Sequence, residues 1–361
     1  MIEPAPPPFT AELAAVSGMI DRLLREEALP ERVAPPCLRE GVTAYPERGG
    51  KRLRPALVLW TCGAVGGNPD HARHAALAVE LYHNWTLIHD DIIDGDATRR
   101  GRPTCHRLLA THARDAGIGT ADGQAAFGRH LAILAGDVLH GWSVEALGRS
   151  AADGAPPAVV AALVARLCGH VTPLLISGEA LDVEFATRPG VTAAEVEHML
   201  YLKTGVLLEF AAQAGAMIGA GTGDVEAPAV RAAGRFAARA GVAFQLQDDI
   251  LGMFGDETRL GKPIGADLRE GKRTVLLLEG LARADAAGRA ELLRCAGNPA
   301  VAAPDVTRVQ AILDDCGALA ATRARAESLS AEARAFLEEL PGNRYRALLS
   351  EWLDLVCRRE S

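Results

Sequence analysis

Apolar residues along this chain recur at helical spacing. Segments 74–94, 158–186, 193–219, 229–254 and 321–357 each place them three and four positions apart, as in a helix with one buried face. No stretch alternates apolar and polar residues for long, so extended strands are not predicted. Breakers separate the helical segments: Asp153-Gly154-Ala155-Pro156-Pro157, Arg188-Pro189-Gly190, and the stretch from Gly219 to Pro228. Thr192 followed by Glu195 reads as a capping box that starts one helix. None of these loops has the length of a domain linker. The expectation is an all-α helical bundle, with a disordered tail over 1–10 and a single domain over 11–361.

Composition narrows the class. With 361 residues and 49 % apolar content the chain can bury a large core, and aromatics at 4 % leave Ala and Leu dominant. The net charge of −8 argues against a general nucleic-acid binder, which needs a basic field. No apolar run approaches the roughly 20 residues needed to span a bilayer, so no membrane span is expected. Met1 to Thr10 carries Glu3 and four prolines without a basic or apolar leader region, so no signal peptide is expected. The seven cysteines include no C-x-x-C pair, which supports neither a zinc site nor a disulfide framework. A cytoplasmic protein with reduced thiols is the resulting expectation.

The chemistry lies in an internal echo. His89-Asp90-Asp91-Ile92-Ile93-Asp94 is matched by Gln247-Asp248-Asp249-Ile250-Leu251-Gly252. Asp90 and Asp94 share a helix face about one turn, 5.4 Å, apart. Two carboxylates stacked this way repel unless a cation joins them, and oxygen-only ligands suit Mg²⁺ with phosphate completing its shell. Taken alone, such a pair reads equally well as a solvated acidic helix end. Two neighbours favour the metal: the apolar run from Leu77 to Ile88 ahead of it, and the three guanidiniums in Thr98-Arg99-Arg100-Gly101-Arg102-Pro103 behind it, suited to bidentate phosphate contacts. The second motif has Gly252 where the stacked acid belongs, so Asp248 and Asp249 make a less complete site. Asp314-Asp315 has no basic partners and is expected at the surface. Further cations stand in Gly49-Gly50-Lys51-Arg52-Leu53-Arg54-Pro55, in Lys203-Thr204-Gly205, in Gly261-Lys262-Pro263 and from Asp267 to Lys272-Arg273-Thr274. A single lysine of this kind is usually a solvated lysine. Their recurrence beside apolar acidic helices, in a chain that is acidic overall, is the informative feature.

Together these motifs resemble, in order, those of the trans-isoprenyl (polyprenyl) diphosphate synthase family, from about Gly49 to Thr274. The resemblance implies an all-α fold of the isoprenoid synthase type with a central apolar cavity. It also implies a prenyltransferase that condenses isopentenyl diphosphate with allylic diphosphates, usually as a homodimer, with three Mg²⁺ ions when diphosphate is bound. By the same resemblance Asp90 and Asp94 ligate two of those ions and Asp248 the third, with Asp91 and Asp249 in support. Arg99, Lys203, Gln245 and Lys262 hold the allylic diphosphate with Thr204 alongside, and Lys272 adds to substrate binding. Asp90, Asp91, Asp94, Lys203, Asp248 and Lys262 form the catalytic set. Lys51, Arg54, His83 and Arg100 bind isopentenyl diphosphate; without the resemblance, His83 reads as a half-buried structural histidine.

Two positions depart from the family pattern. Gly252 replaces the last acid of the second motif, which puts metal affinity in question. Glu179, in Gly178-Glu179-Ala180-Leu181-Asp182, replaces a usual Gln, and an extra carboxylate there needs a metal, a lysine or solvent to face. For product length, the resemblance points to Trp85, five residues before Asp90, and to the small Thr86 beside it. Ideal helix geometry places Thr86, rather than Trp85, under Asp90, and a core tryptophan is the plainer reading of Trp85. One aromatic here, without an insertion between Asp91 and Asp94, resembles synthases of geranylgeranyl diphosphate (C20), with farnesyl diphosphate (C15) as the alternative. A class I terpene cyclase shares the expected fold but needs no second diphosphate site. A non-catalytic synthase subunit is expected to lack the acidic motifs. A binding-only module gives no reason to gather so many charges.

Overall fold

The computed structural model describes residues 7–255 and 264–357. These are helical almost throughout, and their strands form one short antiparallel hairpin, Thr98–Arg99 (β1) with Arg102–Pro103 (β2). Helices predicted from periodicity appear close to their expected bounds. The chain, read from sequence as one domain over 11–361, groups into two compact units. One holds residues 7–167, 211–230 and 343–348; the other holds 168–210, 231–255, 264–342 and 349–357.

The first unit contains α1 (Phe9–Glu26), α2 (Pro36–Thr43), α3 (Leu53–Ala64), α4 (Arg73–Ile93), α5 (Cys105–Asp115), α6 (Ala121–Arg149) and α7 (Pro157–Arg166). α1 begins inside the stretch expected to be tail, and the Phe9 ring packs on Trp60 at 5.4 Å. α4 is buried along most of its length, from Ala75 to Tyr82 and again at Asn84, Trp85, Ile88 and Asp91. Its main neighbour, α6, was not among the predicted segments. Glycines blur the apolar pattern of α6, and they are there for close packing. A Cβ on Gly136 would lie 2.3 Å from His89 Nε2, and one on Gly128 would lie 2.2 Å from the His106 carbonyl oxygen.

The second unit is built on α8 (Thr172–Phe185), α9 (Ala193–Leu200) and most of α11 (Pro228–Phe254), with the later helices packed around them. Val242, Ala243 and Leu246 of α11 pack with Phe185, Met199, Leu200, Val275 and Leu329. Ile250 and Met253 enter a second cluster with Leu276, Leu277, Leu292, Val309 and Leu313. The capping box at Thr192 forms as predicted: its Oγ1 accepts from Glu195 N–H at 3.3 Å and Glu195 Oε2 accepts from Thr192 N–H at 2.9 Å. Asp314 and Asp315 are exposed, as expected.

Two expectations are corrected. The segment 321–357 is two helices, Ala318–Glu338 and Arg344–Cys357, because Pro341 and Gly342 stop the first. The Asn343 side chain then caps the second by accepting from Tyr345 N–H at 3.0 Å and Arg346 N–H at 3.2 Å. The second corrected expectation is that the sequence holds no apolar run of membrane-spanning length. The helical run Pro157–Phe185, 29 residues with a π turn at Leu167–Val171, is long and apolar enough by length and composition, and a third of its apolar window is buried.

Candidate active site

The three acids of the first motif end α4 with different surroundings. Asp94 is exposed, Asp90 is partly buried, and Asp91 is wholly buried. Asp94 N–H bonds the Asp90 carbonyl at 2.8 Å, so the helix continues to Asp94 and holds the stacked pair one turn apart. Asp91 points inward. Tyr45 Oη donates to its Oδ2, and Arg99 Nε donates to its Oδ1 at 2.7 Å. Burial raises the Asp91 pKa above the usual carboxylate range despite those two partners. Arg99 Nη2 also reaches Asp90 Oδ2 at 3.2 Å. Burial opposes the Arg99 charge, yet Asp91 and Asp90 keep its pKa above that of an ordinary arginine.

A basic turn is stitched to the hairpin. Arg100 Nη1 donates to the Gly49 carbonyl at 2.8 Å, and Arg48 Nη1 donates to the Pro103 carbonyl at 2.8 Å. The Arg100 guanidinium lies over Gly50, where a Cβ would stand 3.0 Å from Nη1. Arg100 and Arg52 both adopt positive φ, +54° and +47°, a strained choice for non-glycine residues. Arg54 and His83 are half-buried among these cations. Burial and the nearby Arg100 push the Arg54 pKa down to about 10 despite Glu80, and Arg54 Nε is buried without a hydrogen-bond partner among the described residues. His83 is held well below its ordinary pKa by burial and by Arg54, Arg100, Arg99 and Arg52, so it stays neutral near pH 7. Crowded, partly desolvated cations of this kind form a site for an anion. His83 lies seven residues before Asp90 on α4, about 10.5 Å along the axis.

In the second unit, Lys203 and Thr204 sit on a π turn, Tyr201–Gly205, between α9 and α10 (Val206–Ala220). Gly178 lets α8 press against that turn: a Cβ there would lie 2.4 Å from Lys203 N. Lys203 Nζ consequently reaches both Asp182 Oδ2 at 2.7 Å and Glu179 Oε2 at 2.9 Å. The unusual Glu179 therefore faces a lysine. Gln245 Nε2 donates to Thr204 Oγ1 at 2.5 Å. Asp248 is exposed, whereas Asp249 is buried, and burial raises its pKa to about 8. Asp267, Asp248 and Asp182 push that pKa further up, and Lys272 opposes them. Burial works against the Lys272 charge, but Asp267, Asp249 and Asp182 hold its pKa above the ordinary lysine value. Gly252 lies against Asp267: a Cβ there would stand 3.1 Å from Asp267 Oδ2. Lys262 lies outside the described residues.

The structure thus gathers Lys51, Arg54, His83, Arg99, Arg100 and the first acidic motif in one unit. Lys203, Thr204, Gln245, Asp248, Asp249 and Lys272 belong to the other. Trp85 is buried, with Tyr82 at 4.8 Å, His140 at 4.6 Å and His89 at 5.8 Å between ring centroids. Thr86 Oγ1 bonds back to the His83 carbonyl at 2.8 Å. Sequence reasoning missed Tyr45, Arg48, Arg52, Glu80 and Asp182 as shapers of the site. Among the described residues no group of three or more ligating side chains converges, so the metal-competent donors are carboxylate pairs. Their hard oxygens, and the excess of acids over lysines around Asp249, fit a divalent cation with water and phosphate as remaining ligands.

Residues 35–313 match the polyprenyl synthetase family, to which this chain belongs. It is a short-chain trans-prenyltransferase. It is 37 % identical over 286 residues to a short chain isoprenyl diphosphate synthase of Methanothermobacter thermautotrophicus, covering 79 % of each chain. Its fold matches geranylgeranyl pyrophosphate synthetase from Pyrococcus horikoshii with a TM-score of 0.83 and 33 % identity, covering 97 % of this chain and 99 % of the other. It also matches geranylgeranyl pyrophosphate synthase from Corynebacterium glutamicum complexed with isoprenyl diphosphate and magnesium. That match has a TM-score of 0.85 and 26 % identity, covering 98 % of this chain and all of the other. The predicted all-α isoprenoid synthase fold and prenyltransferase activity are borne out.

Proposed function

We propose that this enzyme makes geranylgeranyl diphosphate by adding isopentenyl diphosphate to allylic diphosphates, with Mg²⁺ bound. The observation that carries the reading is the layout of α4. Its acids, Asp90 and Asp94, lie about two and three helical turns from His83, which stands among Arg54 and Arg100 in an anion site distinct from the acidic one. A terpene cyclase has no use for that second anion site.

In this reading Asp90 and Asp94 hold two ions and Asp248 a third, while Asp91 orients Arg99 rather than binding metal. Magnesium, when bound, neutralises the allylic diphosphate so that it can leave. Arg99, Lys203, Gln245, Thr204, Lys262 and Lys272 hold that diphosphate. Lys51, Arg54, His83 and Arg100 hold isopentenyl diphosphate with its double bond towards the allylic carbon. The allylic C–O bond breaks, the double bond attacks C1 of the resulting cation, and a proton passes from C2 of the isopentenyl unit to the departing diphosphate. No protein base is required. Apolar surroundings keep water from quenching the cation. The packed Trp85, Tyr82 and His140 rings support a stop at C20, as do the geranylgeranyl synthases among the structural neighbours.

Exposed Ile133 and Leu134 on α6, and Ile176 and Val183 on α8, are apolar surface that supports a homodimer. The seven free cysteines suit a reducing, cytoplasmic setting. Asp90→Ala tests the reading: it should abolish isopentenyl-dependent turnover while circular dichroism stays that of the parent. Surviving turnover would overturn the metal assignment.

A further inference from the structure

Between Lys51 and Arg54 stands an arginine that faces no substrate. The Arg52 side chain is fully buried, on a left-handed backbone with φ +47°. Its Nη1 lies 2.5 Å from Glu80 Oε1, and its Nη2 donates to Asp21 Oδ1 at 2.9 Å and to the Pro46 carbonyl at 2.8 Å. One guanidinium therefore joins α1, α4 and the chain just before the basic turn. Glu80 is itself buried, three residues before His83 on the same helix, and its charge also acts on Arg54. The two arginines differ in kind. Each leaves its Nε buried without a hydrogen-bond partner among the described residues, but the two Nη atoms of Arg52 are taken up by two carboxylates and a carbonyl, whereas Arg54 makes no such ion pair among the described residues.

We infer that Arg52 is a positioning residue for the second diphosphate site, its ion pair with Glu80 fixing the turn that presents Lys51, Arg54 and Arg100. Several cations close together repel, and a glycine-containing turn has many shapes open to it. Left to itself, the Gly49–Gly50–Lys51 stretch would spread those charges apart. The buried pair holds the chain in a left-handed conformation at Arg52, which starts α3 at Leu53 and sets Arg54 one residue into the helix. The Gly49 carbonyl is thereby held for Arg100 Nη1, so the shape of the turn reaches the hairpin as well. Glu80 has a second effect: placed beside Arg54, it makes a cation there tolerable before any substrate anion arrives.

The inference rests on Lys51, Arg54, His83 and Arg100 being the isopentenyl diphosphate site, and the experiment separates the two claims. Removing one partner of a buried pair destabilises a fold, whereas replacing both with apolar residues of similar size is often neutral. Arg52→Met/Glu80→Met is therefore compared with Glu80→Gln and Arg54→Ala, recording Tm and KM for each substrate separately. The anchor predicts that the double variant keeps the parental Tm but raises KM for isopentenyl diphosphate about tenfold or more, with KM for the allylic primer within about twofold. Glu80→Gln should move the same KM in the same direction. A double variant with normal Tm and normal isopentenyl KM overturns the anchor, as does an equal rise in both KM values accompanied by lost Tm. If Arg54→Ala leaves the isopentenyl KM unchanged, the site assignment itself fails and the anchor with it.

Discussion

The phenol of Tyr45 donates to Oδ2 of Asp91, and the backbone N–H of Cys105 donates to that same phenol oxygen at 3.1 Å. A buried carboxylate at the end of α4 is thus fixed from outside its own helix. Its other oxygen is taken by Arg99. Tyr45→Phe removes one donor from a buried acid, a cost of about 1–3 kcal/mol. The variant should lose a few degrees of Tm and about tenfold in kcat/KM for the allylic substrate, because Arg99 is no longer held in one place. Differential scanning fluorimetry and steady-state kinetics check both.

Glu179 restrains Lys203 together with Asp182, three residues further along α8. Glu179→Gln leaves the lysine one carboxylate and a greater share of its charge for a diphosphate. KM for the allylic primer should fall about fivefold, equivalent to roughly 1 kcal/mol, with KM for isopentenyl diphosphate unchanged. A rise in the allylic KM would mean that Glu179 aids binding directly.

The close approach of α8 to the π turn gives a pair of matched variants. Gly178→Ala forces a methyl to within 2.4 Å of Lys203 N, whereas Gly169→Ala meets nothing within 4 Å. The first should lose on the order of 100-fold in kcat/KM and about 1–3 kcal/mol of stability. The second should match the parent in both assays.

Far from the chemistry, His74 is clamped: Nδ1 lies 2.7 Å from Asp153 Oδ2 and Nε2 lies 3.0 Å from Glu27 Oε1, with Arg73 and Arg149 paired to the same acids. The bond to Asp153, aided by Glu27, raises the His74 pKa against the opposing effect of burial. A histidine whose folded pKa exceeds its unfolded value contributes stability that is complete below about pH 6.5. That contribution is lost as pH rises through the folded value. Tm measured from pH 6 to 9 should therefore fall more for the parent than for His74→Gln.

What could be read from sequence was what lies close together along the chain. Asp90 and Asp94 share one helix, so spacing alone gave their face and separation, whereas His83 was marked by the family resemblance. Thr192 and Glu195 announced their cap because a capping box is local. Tyr45 was invisible because its partner lies 46 residues away, and nothing in an isolated tyrosine marks it as an anchor. Arg52 hid in a run of cations whose members look alike until burial separates them. α6 escaped because its glycines serve close packing instead of an amphipathic pattern, and the role of Glu179 waited on the fold that brings Lys203 to it.

The central claim is isopentenyl-dependent elongation that stops at C20. Its most direct test is product analysis after incubating the purified chain with Mg²⁺, isopentenyl diphosphate and, separately, C5, C10 and C15 allylic primers. The account predicts a ladder from each primer that ends at geranylgeranyl diphosphate. A ladder ending at C15 would contradict the product assignment while keeping the reaction. A hydrocarbon released from the primer without isopentenyl incorporation would contradict the account as a whole.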